Sequence, residues 1–129
     1  MANMVVLDVD NTGIIMSDAV YADDTLTAAG AVTYLAGTVL ARNSSTNKLV
    51  VYTAGGATGT NIPKAVLTYD VTFTGAGDKP IRPLIKGEVR REKLIAHGVG
   101  AVTQAEVDAL RDYSITAIAS TAQLKYDNQ

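Results

Sequence analysis

The sequence predicts a small α+β domain that is mainly β, with one short helix in its C-terminal half and an extended N-terminal arm. Its apolar content comes from small and β-branched residues, with 19 Ala and 14 Val beside 15 Thr, one Phe and no Trp. Val and Thr favour strands. Tyr69, Val71 and Phe73 alternate with polar residues, which is the period of a half-buried strand. Helix-start signals occur at one place, near Thr103.

The N-terminal thirty residues differ from the rest. Apolar patches at residues 5–9 and 14–16 are separated by a turn-like Asp-Asn-Thr-Gly run at residues 10–13. We therefore divide the chain into an N-terminal arm or edge segment, residues 1–30, and a β-rich domain, residues 31–129.

Short strands and turns follow along the β-rich domain. Two apolar runs, residues 37–41 and 49–52, flank a polar turn and predict a hairpin. The glycine-rich stretch 53–61 predicts a loop, and the run 75–78 predicts a turn. In the next strand the expected apolar face holds Ile81, Pro83, Ile85 and Val89, with Leu84 on the polar side. Pro80 and Pro83 cannot donate ladder hydrogen bonds, so the strand should begin at a sheet edge.

The helix is marked by its capping residues. Thr103 and Glu106 have the spacing of a capping box, and Val102 and Val107 that of a hydrophobic staple. The helix should end near Tyr113 and be followed by a last strand at residues 115–119.

Length, charge and composition exclude several classes of function. A chain of 129 residues fits one domain, and its net charge of −2 argues against nucleic acid as a partner. The absence of cysteine excludes disulfides and thiolate chemistry. The N-terminus lacks the features of a signal peptide, and no apolar run is long enough to cross a membrane. We expect synthesis in a cytosol and no membrane partner.

One motif could carry catalysis. The apolar run ending in Asp8 and Asp10 resembles the first motif of the haloacid-dehalogenase phosphatases, in which these residues would be nucleophile and acid/base with Mg²⁺ bound nearby. Phosphoryl transfer also needs a lysine and further carboxylates around the phosphate. The later strands lack such a motif, and only one helix is predicted. The favoured interpretation is therefore an apolar segment that ends in a turn.

Two other features are weaker candidates. His97 is the only histidine, and its spacing supports neither a triad nor a zinc site. The loop at residues 55–59 lacks the Gly-Lys-Ser/Thr ending of a phosphate-binding loop. We expect no catalytic residue, no metal site and no cofactor, and hence no enzyme.

From about residue 31 onward the chain resembles the lambda-type phage head decoration (capsid cement) family. Residues 34–41 are similar to its opening "a-G-t-v-L" strand and residues 48–52 to the hairpin partner. Residues 65–71 resemble the segment after the glycine-rich loop, and residues 84–89 the later "v-x-x-G-x-v" strand. Residues 109–115 also resemble the family's ending.

The resemblance implies a structural protein of the virion. Such proteins bind the outer surface of the expanded phage head as homotrimers and clamp neighbouring major capsid subunits. It also implies that an N-terminal arm adds a strand to capsid sheets. The best candidates for capsid contact in this chain are the apolar residues of the arm, Val5, Val6, Leu7, Ile14 and Ile15. Removing residues 1–16 is then expected to abolish capsid binding and leave the fold intact.

Two alternatives remain open from the sequence. A head fibre base or a tail accessory protein would share this composition and fold class. A small phosphatase with Asp8 as nucleophile is the enzyme alternative.

Overall fold

A computed structural model describes residues 13–119 of the chain. This part of the chain forms twelve strands, one α-helix and one 3₁₀ helix, and it is mostly β, as the sequence predicts. The strands are β1 (Ile15–Tyr21), β2 (Asp24–Ala28), β3 (Val32–Tyr34), β4 (Val39–Arg42), β5 (Leu49–Val51), β6 (Pro63–Val66), β7 (Val71–Phe73), β8 (Gly77–Ile81), β9 (Leu84–Arg90), β10 (Ile95–Ala96), β11 (Gly100–Ala101) and β12 (Ile115–Ile118). The 3₁₀ helix is Arg91–Lys93, and α1 is Gln104–Arg111.

Eight strands form one curled sheet. Seven of them follow the order β1-β9-β6-β4-β5-β2-β8, and β12 joins β9 in a parallel pair. The predicted hairpin is confirmed, because β4 and β5 pair antiparallel with Leu40 opposite Val51. Two short ribbons, β3–β7 and β10–β11, complete the described topology.

Both faces of β4, in the middle of the sheet, are buried. Along β4, Val39 and Ala41 belong to one core cluster, while Leu40 between them belongs to the other. The first cluster includes Val107 and Leu110 of α1, and the second includes Val71 and Phe73 of the β3–β7 ribbon. A strand covered on both faces has no solvent-facing row, which explains why this run is continuously apolar.

The expected alternation from Ile81 to Val89 is wrong at its centre. Leu84 is fully buried, and Ile85 is 37% exposed. Residues 82–83 lie between β8 and β9, so the alternation does not run unbroken from one strand to the next. The expected edge is confirmed, because β8 with its Pro80 is the last strand of the sheet order.

The capping box is present as predicted. The Thr103 hydroxyl accepts from the Glu106 amide at 3.3 Å, and the Glu106 carboxylate accepts from the Thr103 amide at 2.8 Å. Val102 and Val107 are both buried, which fits the hydrophobic staple. The helix ends at Arg111, slightly before the expected position, and β12 follows.

Replacing Thr103 with alanine should lower the free energy of unfolding by about 1 kcal/mol, because the Glu106 amide loses its acceptor. Urea denaturation measures this change directly. Thr103→Ser keeps the hydroxyl and is the matched control. Equal losses in both variants would show that the hydroxyl is not the stabilising group.

Residues 15–28 lie within the main sheet. β1 pairs with β9, whereas β2 lies between β5 and β8. The two strands are therefore not paired with one another, although both fall in the segment that the sequence analysis assigned to an arm or edge. Residues 1–12 of that segment lie outside the described residues.

Candidate functional site

The candidates for catalysis do not form a site in the described part of the chain. His97 lies in the exposed turn between β10 and β11, and its ring contacts Tyr34 edge-on with 4.9 Å between centroids. Among residues 13–119 no group of three or more His, Asp or Glu side chains could hold a metal ion. Asp8 and Asp10 lie outside the described residues.

The glycine-rich loop between β5 and β6 is held by its own hydrogen bonds. The Thr53 amide donates to the Thr60 carbonyl at 2.8 Å, and the Gly56 amide donates to the Thr53 carbonyl at 3.0 Å. A phosphate-binding loop instead directs its amides outward to the ligand. Donors used inside the loop agree with the surface loop that the sequence predicts.

Glu106 has a second role beside the capping box. It lies at the wall of a cavity of about 210 Å³ that Tyr52, His97 and Val99 also line. Burial and the Glu106 carboxylate raise the pKa of Tyr52. The tyrosine therefore stays neutral at ordinary pH.

Two ion pairs connect strands of the main sheet near β2. Arg42 contacts Asp24 at 2.6 Å, and this guanidinium is the main cause of the lowered pKa of Asp24. Lys48, just before β5, contacts Asp78 of β8 at 2.6 Å. Both pairs are partly exposed, and such pairs contribute little to stability because solvent screens the charges. Each pair reaches across one strand of the sheet, over β5 for Arg42 with Asp24 and over β2 for Lys48 with Asp78.

The start of β1 is held against the end of β9. The Arg90 amide donates to the Ile14 carbonyl at 2.8 Å, and the Arg90 guanidinium donates to the Gly13 carbonyl at 2.6 Å. Arg90 itself is buried. Gly13 and Ile14 are therefore fixed against the end of β9.

β1 crosses β9 with an irregular register. Pairing shifts occur between Ile15 and Ser17, and again on both sides of Val20. Asp18 has a φ of 54°, and a Cβ on Gly87 would lie 2.9 Å from the Ala19 Cα. Bulges of this kind make a sheet edge a poor template for another strand. The outer edge of β1 is thus unsuited to strand addition in its middle, where the bulges lie.

The predicted contact residues fall into two groups. Val5, Val6 and Leu7 lie outside the described residues. Ile14 and Ile15 are partly buried and pack against the core cluster on the helix side of the sheet. Ala19 and Tyr21 pack on the same cluster. A weak alternation of Ile15, Ala19 and Tyr21 with Met16, Asp18 and Val20 is the signal that could have identified β1 from the sequence.

Two large apolar side chains are exposed on the surface of the domain. Val99, at the tip of the β10–β11 hairpin, is 78% exposed, and Leu35 after β3 is 52% exposed. The contact of Tyr34 with His97 holds the two segments together. Leu35 and Val99 thus follow, in sequence, two residues that are in contact. Contiguous exposed apolar patches are typical of protein interaction surfaces.

No helix in the described residues is long and apolar enough to cross a membrane. A comparison with curated proteins gave no match. A comparison with family models matched residues 12–118 to the bacteriophage lambda head decoration protein D. This match spans the whole described sheet, α1 and both ribbons, which is most of the chain. The protein therefore belongs to the phage lambda head decoration protein D family, a family of structural phage head proteins.

Proposed function

We propose that this protein binds the outer surface of the expanded phage head and stabilises contacts between neighbouring major capsid subunits. The family match over residues 12–118 is the observation that carries the proposal, because decoration of the phage head is the role of that family. The described residues form a β domain with two buried core clusters, which could bridge two neighbouring capsid subunits.

The N-terminal segment is the proposed capsid contact. It joins the domain at Gly13, which Arg90 holds against the end of β9. Its Val5, Val6 and Leu7 are apolar, and β-branched residues favour an extended strand. A segment that adds a strand to a capsid sheet would gain backbone hydrogen bonds, which offset part of the entropic cost of ordering it. The bulges of β1 support this choice, since they leave the segment before β1 as the part suited to pairing.

We also propose that three copies associate as a homotrimer on the capsid. The surface formed by Leu35 and Val99 is the proposed contact between copies. A core of small residues buries little apolar area per residue. Burying Leu35 and Val99 between copies would add to that area and offset part of the entropic cost of association.

Co-sedimentation with capsids tests the proposal. Expanded capsids that lack the protein are mixed with the full chain, or with a variant that lacks residues 2–12. We expect saturable binding of the full chain at a fixed ratio to capsid subunits, and a loss of affinity of about 100-fold or more without residues 2–12. Thermal denaturation of capsids with and without the protein measures the stabilisation.

Two outcomes would contradict parts of this proposal. Absence of binding by the full chain at micromolar concentration would exclude capsid decoration. Equal binding by the shortened chain would exclude residues 2–12 as the contact. A Mg²⁺-dependent phosphate-ester assay with Asp8→Asn as control tests the enzyme alternative.

A further inference from the structure

The tip of the β10–β11 hairpin carries one isolated apolar side chain. Val99 is 78% exposed, and its neighbours Gly98 and Gly100 have no side chains. A Cβ added at either glycine would meet no atom of the described residues within 4 Å, so the space beside Val99 is open. The Val99 amide donates to the Ala96 carbonyl at 2.9 Å, which fixes the turn. The hairpin therefore presents Val99 as a projection from the surface.

A cavity of about 330 Å³ opens beside Tyr34, on the side of the sheet away from α1. Its lining includes Ala28, Ala29 and Val51, and none of the described lining residues carries a charged side chain. A cavity of this size admits an aliphatic side chain, since pockets for whole small molecules begin at about 300 Å³. An apolar side chain that enters it desolvates no ionised side chain of the lining.

Four other cavities in the part of the chain that the structure describes differ in this respect. Each has a carboxylate or a guanidinium among its lining residues, namely Asp24, Glu88, Arg42 and Glu106 in turn. An apolar side chain placed there would cover a charge without pairing with it, which is unfavourable. Of these five cavities, the one beside Tyr34 is therefore the best suited to Val99.

Tyr34 connects the projection with the cavity. Its ring lines the cavity and lies edge-on to His97 of the hairpin, with 4.9 Å between centroids. The two features are thus neighbours on one surface but differ in shape. Copies related by a two-fold axis present the same patch to each other, whereas each contact in a closed ring of three joins two different patches. A projection and a cavity that lie side by side therefore fit a ring of three.

We propose that Val99 of one copy inserts into the cavity beside Tyr34 of a second copy, and that three such head-to-tail contacts close a ring. The proposal rests on the proposed homotrimer and adds the receiving surface and the direction of the contact. A second copy is the partner because one chain carries both an exposed apolar projection and an uncharged cavity large enough to receive it. The contact removes Val99 from water, which favours association.

Disulfide cross-linking tests the contact, because the chain has no cysteine of its own. Val99→Cys is mixed with Ala29→Cys under mild oxidation, both on decorated capsids and in concentrated solution. We expect mixed dimers as the main product, since two thiols can pair when their Cα atoms lie within about 7 Å. Thr53→Cys offers a second receiving position, because Thr53 is exposed and also lines the cavity.

A control thiol and a double variant define the direction of the contact. Asp112→Cys places an exposed thiol just after α1, on the other side of the sheet, and should not cross-link to Val99→Cys. A chain with both Val99→Cys and Ala29→Cys should end as a covalent trimer, because a closed ring leaves no free partner. Longer covalent chains would exclude the ring, and Val99→Cys dimers as the main product would exclude the head-to-tail contact.

Filling the cavity measures how far the contact depends on it. In a Thr53→Cys chain, Ala29→Trp should slow cross-linking to Val99→Cys about tenfold or more. Ala105→Trp, an equal enlargement at an exposed site on α1, should change the rate less than about twofold. Equal rates in the two variants would contradict insertion into the cavity.

The two settings separate this contact from capsid decoration. Cross-linking in solution without capsid binding would overturn decoration and leave the contact between copies. Capsid binding without cross-linking at Ala29 or Thr53, on capsids and in solution, would overturn the contact and leave decoration.

Discussion

Replacing Gly37 with alanine is expected to lower the free energy of unfolding by about 3 kcal/mol or more. Gly37 has a φ of 100°, a conformation that alanine adopts only with strain. A Cβ there would lie 2.0 Å from the Lys93 carbonyl oxygen. The residue also accepts a hydrogen bond from the Ile95 amide and donates one to the Leu67 carbonyl at 2.7 Å. The backbone therefore has little freedom to move away from the new methyl group.

Urea denaturation of Gly37→Ala and Gly30→Ala measures this effect with a matched control. An added Cβ on Gly30 would meet nothing within 4 Å, and its φ lies outside the left-handed region. We expect Gly30→Ala to remain within about 0.5 kcal/mol of the parent. A similar small change in Gly37→Ala would mean that the turn before β4 tolerates a side chain. The glycine of the "a-G-t-v-L" pattern would then have no structural cause.

Removing residues 2–16 should cost the fold about 4 kcal/mol, whereas removing residues 2–12 should leave it unchanged. The longer deletion takes away Ile14 and Ile15, which pack against the core. It also removes two carbonyl partners of Arg90. Partial burial of two isoleucines contributes about 2 kcal/mol, and hydrogen bonds that involve a buried charged group contribute a similar amount.

Chemical denaturation of both shortened chains measures the difference. The sequence analysis expected removal of residues 1–16 to leave the fold intact, and the packing of Ile14 and Ile15 moves the boundary to residue 12. Only the shorter deletion therefore tests capsid binding without loss of stability. Ile15→Ala in the full chain is the control, and it should lose about 1–2 kcal/mol. A chain without residues 2–16 that is as stable as the parent would show that Ile14, Ile15 and their contacts with Arg90 and the core do not stabilise the fold.

The features predicted correctly from the sequence are those specified by neighbouring residues. The capping box of Thr103 and Glu106 acts over four residues, and the β4–β5 hairpin needs only two apolar runs and a polar turn. The mainly β class follows from composition, and the resemblance to the head decoration family follows from strand and turn patterns along the chain. These signals can be read without knowledge of which strands meet.

The candidate site was predicted only in outline. Apolar character alone selected Ile14 and Ile15 together with Val5, Val6 and Leu7. A buried anchor and a binding side chain share that character, and only the contacts of Ile14 and Ile15 with the core distinguish the two roles. The residues that hold the entry point, Arg90 above all, give no local signal, because an arginine in a mixed-charge stretch is usually solvated.

By itself the sequence determined the class of fold, the helix, the hairpin and the resemblance to a structural phage protein. Tertiary structure alone decided that β1 and β2 join the main sheet, that Leu84 is buried instead of Ile85, and that β12 lies parallel to β9. Caps and turns are local interactions, whereas strand partners are chosen by burial shared among segments that are distant in the chain. Ile15 and Ile118 are more than one hundred residues apart, and only the pairing of β1 and β12 with β9 brings these two residues to the same end of that strand.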